Sequence, residues 1–150
     1  GLREIVHTNQ HIGDDRKDAI EGADLICYPP GSFYSSLLAN LMPEGVGRSI
    51  CQNQNPKVYL PNLGVDPEQQ GLPLMERIKR LIVTVLADVK AEAHFSALDY
   101  LLLDDVYDYG VVDVNQLNDL NIMVIKTPLI AEKVDKYDER LVAKALLSFA

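Results

Sequence analysis

A chain of 150 residues with a formal net charge of −8 and a pI near 4.7 is long enough for one domain with a sizeable core, and too acidic to bind nucleic acid through a broad basic surface. Its 47% hydrophobic and 24% charged residues suit a globular protein, no apolar run is long enough to span a bilayer, and no signal peptide opens the chain, so a cytoplasmic protein is expected. None of this excludes one phosphorylated small molecule held by backbone amides.

The chain opens at Gly1 without methionine, and residues 2–8, with Leu2, Ile5 and Val6, read as an edge strand. His7 and His11 have metal-binding spacing only on a helix; nothing around them reads as helical, and a solvated loop is expected. Residues 14–22 form a polar helix capped by Asp14 or Asp15 and ended at Gly22. Residues 24–28 then form a short apolar run of the kind that makes a strand buried on both faces. Pro29 and Pro30 stop it and Gly31 lets the backbone turn. From about Phe33 the chain is helical, because Phe33, Leu37 and Leu41 recur every fourth residue with Leu38 and Met42 beside them.

Ser32 is placed to cap that helix. A tight glycine-containing turn from strand to helix leaves the first N–H groups of the helix at the sheet edge, where the macrodipole favours an anion. Hydroxyls of Ser32, Tyr34, Ser35 and Ser36 would add donors, so phosphate binding at Gly31, Ser32, Tyr34 and Ser35 stands beside the plainer reading of an ordinary serine cap.

Residues 43–47 break the pattern, a short helix follows to about Asn53, and Asn55-Pro56 ends it. Residues 57–60 are the next strand and 61–67 a loop at its carboxyl end. Parallel neighbours joined by a helical crossover put their loops on one sheet edge, which places Asn62 near Gly31 and Ser32. Asn62 suits reading a base or sugar and Asp66 suits accepting from a ribose hydroxyl; both equally suit stabilising the turn. Residues 72–89 are the strongest helix, with Leu74, Ile78, Leu81, Ile82, Val85, Leu86 and Val89 in helical period and Glu76, Arg77, Lys79 and Arg80 marking an outer face. It reads as a core helix, and the wider stripe around residues 81–86 leaves a homodimer contact as the alternative.

Residues 97–103 are a third buried strand, and Asp104 and Asp105 stand at its end, where α/β enzymes keep metal ligands or ribose contacts. With Asp108 and Asp113 close by, a magnesium site on Asp104 and Asp105 competes with helix capping. His94, just before this strand, has no identifiable partner. Residues 112–120 read as a helix, 122–125 as a strand, and 137–149 as a closing amphipathic helix with Leu141, Ala145 and Leu146 inward and Asp135 or Asp138 as its cap. Cys27 and Cys51 are the only cysteines and read as reduced core residues, a disulfide being the lesser alternative. The alternation of strand and helix is that of a single α/β domain: an open, mostly parallel sheet with helices on both faces.

Three stretches also carry a resemblance: Pro-Gly-Ser-Phe-Tyr-Ser-Ser-Leu-Leu-Ala-Asn-Leu at 30–41, Pro-Glu-Gly-Val-Gly at 43–47 and Lys-Val-Tyr-Leu-Pro-Asn-Leu at 57–63. They resemble the family that joins 2-phospho-L-lactate transferase (CofD-like proteins) to the YvcK-type, gluconeogenesis-factor-like proteins. In that family a Gly-Pro-Gly-Ser-Leu-Tyr-Thr-Ser-like turn follows a buried strand, and a Val-Tyr-x-x-Asn-like strand end comes next. The likeness is specific over residues 20–66 and holds elsewhere by order of elements.

The resemblance implies a Rossmann-like protein that holds a nucleotide-diphosphate ligand. In the transferase branch it implies transfer of a phospholactyl group from a guanosine diphosphate carrier to a deazaflavin alcohol with magnesium, chemistry that rests on positioning and on spreading phosphate charge. Matched residue by residue, Gly31, Ser32, Tyr34 and Ser35 fall on the phosphate-side turn and Asn62 on the second strand end. Pro29-Pro30 stands where the family usually has Gly-Pro, which stiffens the turn and removes an N–H. Phe-Tyr-Ser-Ser lies nearer the YvcK-type turn than the transferase type. The family's glycine-rich first turn and the aspartates after it have no counterpart here, so the chain is expected to be the carboxyl-terminal part of a longer domain. Two functions are expected, a nucleotide-diphosphate binder with transferase chemistry when full length, or a non-enzymatic regulator that binds a UDP-sugar; a purely structural remnant ranks below both.

Overall fold

The computed structural model describes residues 11–64, 71–89 and 96–150. The expected strand at 2–8, His7, Asp66 and His94 lie outside the described residues. Four short runs form one sheet: β1 (Ile26–Tyr28), β2 (Lys57–Tyr59), β3 (Tyr100–Asp104) and β4 (Met123–Thr127). They pair in parallel in the order β1-β2-β3-β4, with Cys27 opposite Val58, Tyr59 opposite Leu101 and Leu102 opposite Ile125.

The described residues also form six α-helices: α1 (Asp14–Gly22), α2 (Ala39–Leu41), α3 (Val46–Gln52), α4 (Leu74–Leu86), α5 (Val114–Asp119) and α6 (Glu139–Leu147). Sequential parallel strands joined by right-handed crossovers carry every crossover to the same face of the sheet. The core follows that rule. Tyr28, Tyr59, Leu101 and Leu103 pack into one cluster with Phe33, Leu38, Ile50, Ile78, Leu81, Val85 and Leu117 of the crossover segments. Strand side chains alternate between faces, so Val58 and Leu102, with Leu60 just past β2, join a second cluster with Leu129 and with Val142, Ala145, Leu146 and Phe149 of the closing helix. This is the expected α/β architecture, with α6 alone among the described helices covering the second face.

Local details depart from the sequence reading. The first residue before α1 is Gly13 and no side chain caps the helix; Asp14 and Asp15 sit inside its first turn, where they act on the macrodipole instead. β1 is only half-buried except at Tyr28, since it lies at one edge of the described sheet. In α4, Leu74, Ile78, Leu81 and Val85 are buried as their period requires, but Arg77, expected on the outer face, is only 7% exposed.

α3 and α4 cross closely at Gly47, where an added Cβ would lie 2.1 Å from the Val85 carbonyl oxygen. The same crossing caps α3. Asp88, just past α4, accepts from the N–H groups of Gly45 (2.8 Å) and Arg48 (3.1 Å), donors that the glycine before α3 cannot satisfy with a side chain of its own. At the end of the chain Asp138 caps α6, accepting from the N–H groups of Arg140 and Leu141. No described helix is long and apolar enough to cross a membrane.

Candidate functional site

Four loops leave the carboxyl edge of the sheet, one after each strand, and the candidate site is built where they meet. The first is the turn after β1. Gly31 has φ +154°, a conformation that side chains rarely adopt, while the space around it is open: an added Cβ would find only Ser36 Cβ, at 3.9 Å. Conformation is therefore what requires glycine there. Asn62, beyond β2, grips this residue at both ends: the Gly31 N–H donates to Asn62 Oδ1, and Asn62 Nδ2 donates to the Gly31 carbonyl. The pairing brings Asn62 to Gly31 as expected from the crossover, and in this structure its amide braces the turn.

After the turn, Phe33–Leu38 forms a π-helical segment that runs on into α2. The Ser32 carbonyl accepts from both Ser36 N–H (3.1 Å) and Leu37 N–H (3.0 Å), the second being the wider π-helical bond. Ser32 stands at the cap position, yet its side chain makes no cap hydrogen bond. The expectation that its hydroxyl caps the helix is thus corrected. Phe33, Tyr34, Leu37, Leu38 and Leu41 are buried, as the four-residue period predicts, while Ser35 and Ser36 are exposed and Ser32 is half-buried. Tyr34 points its hydroxyl to Arg80 of α4, whose Nη1 donates to it and whose guanidinium carbon lies 5.8 Å from the ring centre.

The third loop is organised by Asp104, at the end of β3 and 5% exposed. Its Oδ2 accepts from Val106 N–H (3.0 Å) and Tyr107 N–H (2.9 Å), and its Oδ1 accepts from Leu129 N–H (2.8 Å) and Ile130 N–H (3.1 Å) across the sheet. Burial alone would raise this carboxyl, but the four N–H groups outweigh it and hold Asp104 below the usual carboxylate range. Two N–H groups on each oxygen use all the acceptor sites of a carboxylate.

The magnesium expectation at Asp104 and Asp105 does not fit this donor set. Asp104 is saturated, Asp105 is exposed, Asp108 accepts from Gly110 N–H, and Asp113 caps α5 through Gln116 N–H. No three His, Cys, Asp or Glu side chains among the described residues stand together as a metal site. The acidic loop is a set of turn and cap residues.

A tyrosine relay ties the loops together. Tyr109 O accepts from Asp104 N–H (2.9 Å), Tyr109 and Tyr137 hydroxyls meet at 2.9 Å, and Tyr137 donates to the Pro61 carbonyl (2.6 Å). Because Tyr137 spends its one proton on Pro61, Tyr109 is the donor to Tyr137. Tyr107 accepts from Gly64 N–H (2.7 Å) and packs edge-on against Tyr109. Burial pushes both phenols above their ordinary range, so both stay protonated at neutral pH. The sequence reading missed this relay, since its members are separated by up to 76 residues.

Elsewhere the remaining candidates are accounted for. His11 pairs with Glu44 at 3.2 Å on the surface. Cys27 and Cys51 are free thiols; burial pushes Cys27 up to about 11 and raises Cys51, so neither is a thiolate at neutral pH.

Comparison with known proteins gives this architecture its relatives. The family model of 2-phospho-L-lactate transferase CofD matches residues 3–138. The gluconeogenesis factor of Halalkalibacterium halodurans is 26% identical over 139 residues, 87% of this chain and 43% of that protein. The gluconeogenesis factor of Bacillus subtilis is 40% identical over 50 residues, 33% of this chain and 16% of that protein. A crystal structure of a Bacillus halodurans protein superposes with a TM-score of 0.73 at 23% identity, covering 91% of this chain and 47% of its own, and shows the shared fold. The chain thus spans less than half the length of these relatives.

Proposed function

The chain belongs to the 2-phospho-L-lactate transferase CofD family, and from that premise we propose that it binds a nucleotide-diphosphate ligand at the turn from Pro29 to Ser36. The observation that carries the reading is the clasp between Asn62 and Gly31, which holds this turn against the loop after β2 at the carboxyl edge of a parallel sheet. Ser32 is the nearest hydroxyl donor, because its side chain caps nothing; Ser35 and the amides of the first helical turn stand beside it. Tyr34, fixed by Arg80, forms the wall.

Two ligand chemistries divide the family reading. A guanosine diphosphate-linked group would fit a phospholactyl-type transferase, with the loops holding the diphosphate in line for transfer. A uridine diphosphate sugar would fit a regulator, and the relatives named gluconeogenesis factors favour this second reading. The saturated Asp104 argues for binding that needs no divalent ion on the acidic loop.

Calorimetric titration with guanosine diphosphate, uridine diphosphate and uridine diphosphate N-acetylglucosamine, each with and without magnesium, separates these readings. Binding by the parent chain that weakens about tenfold or more in the Ser32→Ala, Ser35→Ala variant is the expected result, on the scale of lost hydrogen bonds to a charged group. Equal binding by parent and variant would overturn the turn as the site.

A further inference from the structure

Arg77 is the one charged residue among the buried positions of α4. It is 7% exposed, and its Nε meets no acceptor among the described residues. The ion pairs found among those residues are His11 with Glu44 and Lys79 with Glu76, and neither involves it. A buried guanidinium N–H without an acceptor carries an uncompensated desolvation cost, larger on a charged group than on a neutral one. Even in a chain of net charge −8, no carboxylate among the described residues neutralises this cation.

Its position gives that cation a purpose. α4 begins at Leu74, after the loop that leaves the carboxyl end of β2, so its first turn lies at the same sheet edge as the Pro29–Ser36 turn. Arg80 and Arg77 are three residues apart and share a side of the helix. Arg80 reaches Tyr34, the second residue of the helical segment that follows the turn. Helical side chains lean towards the amino-terminal end of their helix, so Arg77 lies on the edge-ward side of the Arg80–Tyr34 contact.

We propose that Arg77 is the cationic contact of the diphosphate site, its planar fork taking two oxygens of one phosphate while Ser32 and the turn take the other side. The inference rests on the nucleotide-diphosphate reading above and deepens it by naming the charged group and the ligand part it meets. Arginine suits this role because its donors match phosphate geometry bidentately and lysine's do not. Arg80, by contrast, acts through Tyr34 and is a positioning residue.

The test uses uridine diphosphate, guanosine diphosphate and inorganic pyrophosphate as probes against the parent chain, Arg77→Met and Arg77→Lys, with thermal unfolding measured beside each titration. The expected result is a loss of roughly tenfold or more in diphosphate affinity for Arg77→Met, a smaller loss for Arg77→Lys, and an unfolding temperature of the ligand-free Met variant equal to or above that of the parent. Parent binding with unchanged affinity in both variants would overturn the role of Arg77 while leaving the turn as the site. A lower unfolding temperature in both variants with affinity retained would make Arg77 a structural residue and overturn it likewise. A parent chain that binds none of the three probes would overturn the nucleotide-diphosphate reading itself, and this inference with it.

Discussion

Asn62 and Asp104 do comparable work: each is a side chain at a strand end that spends its polar atoms on backbone from another loop. For Asn62 the backbone is Gly31. Asn62→Ala leaves the turn without its clasp, and diphosphate affinity is expected to fall about tenfold, the scale of one to two hydrogen bonds, with a smaller effect on unfolding since the site is solvent-exposed. Titration beside thermal unfolding separates the two effects. For Asp104 the backbone is four N–H groups on two loops. Asp104→Asn keeps the shape but turns one acceptor into a donor facing two N–H groups, with an expected cost of about 1–3 kcal/mol for each group left unsatisfied.

The pH dependence has a definite sign. The folded Asp104 carboxyl is held below the ordinary aspartate value of 3.8, so its contribution is fully present above that pH and is lost as pH falls through the lower folded value. Urea unfolding from pH 6 down to pH 2 should show the parent losing its advantage over Asp104→Asn below about pH 4. A constant difference across that range would count against the carboxylate's role. Part of this was legible in the sequence. The approach of Asn62 to Gly31 follows from parallel connectivity alone, and Val106 and Tyr107 are close enough in sequence to suggest an Asx turn. Leu129 and Ile130 come to Asp104 only through the pairing of β3 with β4, which no local pattern encodes.

At the scale of elements, periodicity was a sound guide to what is helix and strand and a poor one to how helices begin. Residues 14–22, the apolar run ending at Tyr28, and the stripes of Leu74, Ile78, Leu81 and Val85 all form the elements their patterns predict. Capping is where tertiary contacts intervene. Ser32 stands at the cap position but makes no cap bond with its side chain. α3 receives its cap from Asp88, 43 residues away from Gly45. Arg77 departs in the same way: a charged residue among Glu76, Lys79 and Arg80 reads as solvated, yet it is buried.

The α3–α4 crossing offers a direct check. Gly47→Ala puts a methyl 2.1 Å from a backbone carbonyl, too close for any side chain to yield, so the helices must separate. An expected loss of about 1–3 kcal/mol, the range for overpacking, is measurable by chemical denaturation. A neutral substitution would show that the crossing is looser than described.

For the whole molecule, one ordering explains both the core and the site. Among the described residues, four parallel strands in sequence order place their crossovers on one face, leave the other to α6, and bring their strand-end loops to one edge. The tyrosine relay from Asp104 through Tyr109 and Tyr137 to Pro61 then fastens three of those loops to each other. The α/β class, the single sheet and the family were legible because they depend on apolar runs and on two motifs in order. The relay and the saturation of Asp104 were not, because they depend on loops meeting after the sheet has formed.

The central claim is that the ligand site is the clasped turn at this edge. Amide hydrogen exchange of the chain, with and without saturating uridine diphosphate or guanosine diphosphate, tests it most directly. The account predicts slowed exchange in residues 31–37 and 62–64, with the amides of β4 unchanged. Protection confined to other segments, or none with either nucleotide, would contradict it.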